Sequence, residues 1–109
     1  MSRNSFPLKP LFSNTTQLPV VQNITLGASG VAATNAVSAQ TYAVQLNATS
    51  GCWILFAPTA AAAATVSPTN GFLFKSTDFA MQIGIPPGYF IGAVEQSAAG
   101  TLNIMELTH

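Results

Sequence analysis

Short apolar segments with a two-residue period, broken by Gly- and Pro-containing turns about every ten residues, constrain this chain more than any other feature. In residues 20–26, Val20, Ile24 and Leu26 share one face. In residues 41–47, Tyr42, Val44 and Leu46 alternate with Ala43 and Gln45. The turn Ala48-Thr49-Ser50-Gly51 leads into the apolar run Cys52–Phe56, which reads as a central strand buried on both faces. Strand, turn and strand at this spacing predict a hairpin. Asn70-Gly71 turns the chain before Phe72-Leu73-Phe74, and Phe79, Met81, Ile83 and Ile85 share a later face. Pro86-Pro87-Gly88 has the residue order of a type II turn. Strands over Tyr89–Val94 and Thr101–Leu107 follow, joined by the turn Ser97-Ala98-Ala99-Gly100. Six or seven such strands predict an all-β fold, an antiparallel β-sandwich or jelly-roll-like barrel.

Two stretches break the pattern. Residues 1–19 hold prolines at positions 7, 10 and 19, which disfavour both helix and regular central strand. We read this segment as an extended N-terminal arm on a single β-sandwich domain spanning 20–109. Its apolar residues Phe6, Leu8, Leu11 and Phe12 are the expected contact anchors, against either the chain's own domain or a neighbouring subunit. The run Ala60–Ala64 favours helix by composition. Pro58 and Pro68 bracket it too closely for more than one helical turn. As a loop it serves either as a contact surface or as a linker between strands.

From Pro10 to Phe74 the chain runs 65 residues without Asp, Glu, Lys, Arg or His. Charged residues make up 6% of the whole, against about 25% in ordinary soluble domains. The formal net charge is zero, so the attraction that drives non-specific nucleic-acid binding is missing, as is polybasic attraction to anionic lipid. Charge is also what keeps free monomers apart. A chain that has shed it is expected to live in an assembly as a homo-oligomer, with no nucleic acid or membrane partner. The arm and the 57–70 loop are the expected contact surfaces, and the charged final third is expected to face more solvent.

Residues able to do chemistry are sparse. Cys52 lies in an apolar setting and is expected to be a buried small hydrophobe. The only histidine is His109, so a Cys-His pair is disfavoured, although a small hydrolase using Cys52 and His109 is the enzymatic alternative. Asp78, Glu95 and Glu106 lack the spacing of a glycosidase pair, and neither a metal-ligand cluster nor a phosphate-binding glycine loop is encoded. We therefore expect no catalytic, metal or cofactor-binding residues. Three Asn-x-Thr triplets begin at Asn14, Asn23 and Asn47. In a chain rich in Ser, Thr and Asn they read as chance. The start has no apolar stretch of signal-peptide length, and no run approaches the ~20 residues of a membrane helix.

Residues 84–107 combine a Pro/Gly turn, a short apolar strand with Ala, a small-residue turn ending Ala99-Gly100-Thr101, and a closing strand. Residues 44–56 place Cys52-Trp53 at the opening of a strand. In these stretches the chain resembles small accessory structural proteins of tailed bacteriophages. The resemblance implies a virion protein made in the host cytoplasm: a capsid decoration (cement) protein bound to the major capsid protein or to copies of itself. A head-tail neck or tail adaptor ring is an alternative. A carbohydrate- or receptor-binding module, with Trp53 and Tyr89 as its aromatics, is another from a different class.

Overall fold

A computed structural model describes residues 8–77 and 80–109. The elements are β1 (Lys9–Pro10), β2 (Val21–Leu26), β3 (Val31–Ala32), β4 (Ala43–Ala48), β5 (Cys52–Ala57), α1 (Ala60–Ala63), β6 (Phe72–Phe74), β7 (Met81–Gly84), β8 (Phe90–Glu95) and β9 (Gly100–Thr108). One sheet has the order β2-β9-β4-β7, with β1 pairing the far end of β9; the other has the order β3-β8-β5-β6. Every described pairing is antiparallel. The partnerships β2·β9, β3·β8, β4·β7 and β5·β6 nest inside one another. An antiparallel ribbon nested in this way and rolled into two four-stranded layers is a jelly roll. The expected all-β sandwich is thus realised with jelly-roll connectivity.

The predicted hairpin is not formed. β4 and β5 belong to different sheets, and the 49–51 corner carries the chain between layers. The reason is pairing with a second corner: Thr49 N–H donates to the Thr101 carbonyl at 3.0 Å and Gln96 N–H to the Gly51 carbonyl at 3.0 Å. Two adjacent corners that cross together satisfy each other's backbone groups. The type II turn is as expected. Gly88 has φ 82°, and Tyr89 N–H donates to the Pro86 carbonyl at 3.3 Å.

The core lies between the layers. Ile24 and Leu26 of β2, Val44 and Leu46 of β4, and Leu102 and Ile104 of β9 meet Cys52 and Ile54 of β5, Phe74 of β6, and Ile91 and Ala93 of β8. These are the inward positions of each period-two segment, except that Tyr42, which alternation groups with Val44 and Leu46, precedes β4 and is 56% exposed. Phe79, placed on the β7 face by sequence, lies outside the described residues, as does Asp78. One acid departs from the expected solvated final third. Glu106 is 2% exposed because its position on β9 points inward beside Ile104. Its Oε1 accepts from the Thr41 hydroxyl at 2.6 Å and from the Ser38 N–H at 2.9 Å. The carboxylate therefore fixes the β3–β4 connection to β9, and its polar demand is met locally.

The alanine run forms one helical turn, as the bracketing prolines allow, with Thr59 as N-cap accepting from Ala62 N–H at 3.1 Å. It folds back over the outer face of the β3-β8-β5-β6 sheet. Ala63 and Val66 are buried there, and a β-carbon on Gly92 would strike the Ala63 carbonyl oxygen. This cover explains why β5 reads as apolar on both faces.

Candidate interaction surface

The described part of the arm is sewn into its own sheet and then leaves it. Leu11 N–H donates to the Glu106 carbonyl at 2.9 Å, Glu106 N–H to the Val20 carbonyl at 3.0 Å, and Val20 N–H to the Leu11 carbonyl at 2.8 Å. β1 thus yields its place beside β9 to β2, and residues 12–19 between them project from the sheet edge. An isolated bridge joins Phe12 and Pro19. Inside it, Ser13 N–H donates to the Leu18 carbonyl at 2.8 Å and Gln17 N–H to the Ser13 carbonyl at 3.0 Å. The Ser13 hydroxyl oxygen accepts from Thr15 N–H at 3.1 Å. Gln17 has φ 61°, a left-handed conformation that costs a non-glycine residue about 1 kcal/mol. Such strain persists only where surrounding bonds impose it.

This braced loop holds Phe12 at 54% exposure and Leu18 at 62%. Of the expected anchors, Leu11 is buried in the chain's own fold, Leu8 is half-buried, and Phe12 is exposed. Phe6 lies outside the described residues. Sequence reasoning did not single out Leu18 as an anchor.

The outer face of the β2-β9-β4-β7 sheet adjoins the loop. Register places Asn23 opposite Asn103 and Asn103 opposite Asn47. The next row joins Thr25 to Thr101, and Thr101 N–H donates to the Thr49 Oγ1 at 2.8 Å. On the other side of the Asn row lie Val21, Met105, Gln45 and Gln82. Two amide pairs bond across strands, Asn103 Nδ2 to Asn23 Oδ1 at 3.0 Å and Gln82 Nε2 to Gln45 Oε1 at 3.1 Å. No charged side chain occupies these positions. The triplets starting at Asn23 and Asn47 are therefore neighbours of a reversed Thr101-Leu102-Asn103 rather than unrelated repeats. The signal in sequence was that shared Asn-x-Thr spacing on outward positions, but only pairing register reveals the rows.

Other candidates are kept apart. Cys52 is fully buried, and burial pushes its thiol up to about 11, which suppresses the nucleophilic thiolate. His109 lies beyond the opposite end of β9, about 25 Å away at strand rise, where it packs edge-on against Tyr42 with ring centroids 4.3 Å apart. An open cleft there is lined by Lys9, Gln40, Tyr42 and His109 among others. Trp53 points to the outer face of the capped sheet, half-buried between Leu73 and Val94. Tyr89 packs against the core cluster. The two aromatics do not share a strand face. Among the described residues, no group of three or more His, Cys, Asp or Glu could hold a metal ion, and no helix is long and apolar enough to cross a membrane.

No protein-family model, curated protein or solved structure matches this chain.

Proposed function

We propose that the protein is a virion structural component, a decoration (cement) protein that seats on a bacteriophage head shell through apolar and backbone contacts. The observation that supports this best is the braced loop, which holds Phe12 and Leu18 exposed on a chain with 6% charged residues. Fully burying one such side chain is worth about 1.5–3 kcal/mol. A pair already half-exposed therefore contributes modestly per copy, and a repeating lattice multiplies it. The loop's hydrogen bonds lower the entropy lost on docking, since its shape is set before contact.

The test is quantitative mass spectrometry of density-banded particles from the source that carries this gene. Copies in the hundreds per particle are expected for a decoration protein. Six or twelve would assign the chain to a neck or tail ring, and absence from particles would overturn the virion reading. Attachment should survive ~1 M NaCl, where charge contacts are screened. Replacing Phe12 and Leu18 with Ser should release it while leaving the melting temperature within about 5 °C, because each side chain is more than half exposed and two such surface changes cost about 1 kcal/mol at most.

A further inference from the structure

We infer that the outer face of the β2-β9-β4-β7 sheet pairs with the same face of a second copy of this chain. This surface is distinct from the loop, and the inference holds whether or not the chain sits on a head shell. In an isologous interface each patch meets its own image. A cluster of one charge sign then meets itself and is repelled. A carboxamide presents both a donor and an acceptor, and a hydroxyl does likewise, so each can bond to its own image.

The Asn23, Asn103 and Asn47 row, the Thr25, Thr101 and Thr49 row and the Gln45–Gln82 pair consist only of such groups. Val21, 43% exposed, and the adjacent Met105 add apolar area. Depletion of charge is also part of the compositional mark of an interface core. The opposite sheet cannot serve in the same way, because α1 and Val66 already cover part of its outer face. Two twisted sheets pack face to face about 10 Å apart with strands rotated by roughly 30°.

The ten positions of these three rows, with strands about 4.8 Å apart and rows about 6.7 Å apart, give roughly 320 Å² of plan area. That is under half of the roughly 800 Å² each partner contributes to a standard stable interface. Area alone does not fix affinity, but a patch of this size belongs with weak, transient contacts, effective where copies are concentrated.

Sedimentation equilibrium of the full chain from ~10 μM to ~1 mM tests it. The mass should move from 11.3 kDa toward twice that value. Asn103→Asp and Asn103→Lys should each weaken association at least roughly tenfold through like-charge contact. An equimolar mixture of the two should regain it, which only a face meeting itself predicts. Thr25→Lys, at an exposed position, repeats the test should Asn103 variants fail to fold by circular dichroism. A wild-type chain of 11.3 kDa at every concentration overturns the inference. So does a mixture that associates no better than its components, or a face that binds neutral oligosaccharide without self-association. The Phe12→Ser, Leu18→Ser variant should still pair, so loss of shell attachment and loss of pairing are read separately.

Discussion

The two sheets of the sandwich treat their outer faces in opposite ways. The β3-β8-β5-β6 sheet is covered in part by its own β5–β6 excursion, with Ala63 and Val66 buried against it. The β2-β9-β4-β7 sheet keeps its outer face bare and lines it with neutral amides and hydroxyls. Both solutions follow from the same scarcity of charge. A chain with few ionic side chains either hides a sheet face under more chain or dresses it with uncharged hydrogen-bonding groups. Only the second leaves a face available to a partner.

The largest effect should come from breaking the cover. Gly92→Val would drive a branched side chain into the Ala63 backbone, and overpacking against backbone should cost about 3 kcal/mol, read as a fall in the denaturant midpoint. The next largest tests the inward positions common to both layers. Glu106→Ala leaves the Thr41 hydroxyl and Ser38 N–H without their acceptor, for a loss of about 2 kcal/mol. Glu106→Gln keeps an acceptor oxygen and should recover part of that loss in the same titration. The bare face should be the most forgiving. Asn103→Ala removes one exposed side-chain bond and should change chemical stability by no more than about 0.5 kcal/mol. A loss near that of Gly92→Val would show that the face is structural after all.

Strand positions were legible because period-two burial is a local property: Val44, Leu46, Leu102 and Ile104 face inward where alternation puts them. The prolines and Gly88 likewise announce their turn. What was not legible depends on which strands meet. Ala48–Gly51 looks like a hairpin turn until Gln96 and Thr101 bond to it. Glu106 looks solvated until Thr41 is brought to it from the β3–β4 connection. The exposed loop was anticipated only in part. Proline spacing marked the arm, but the return of Leu11 and Val20 to Glu106, which makes residues 12–19 project, is again a matter of register.

The nested strand order also sets the chain's closing sequence. Pairing β5 with β6 closes residues 58–71, whereas pairing β2 with β9 from an open chain would close residues 27–99. The wider loop costs about 1.5 kcal/mol more in chain entropy. Once β3·β8 is formed, β2 and β9 are tethered only by the short corners 27–30 and 96–99, and most of that difference disappears. The ribbon therefore zips most cheaply from its middle outward. The sheet that presents the neutral face gains its β2·β9 edge, and the projecting loop beside it, at the end of that order.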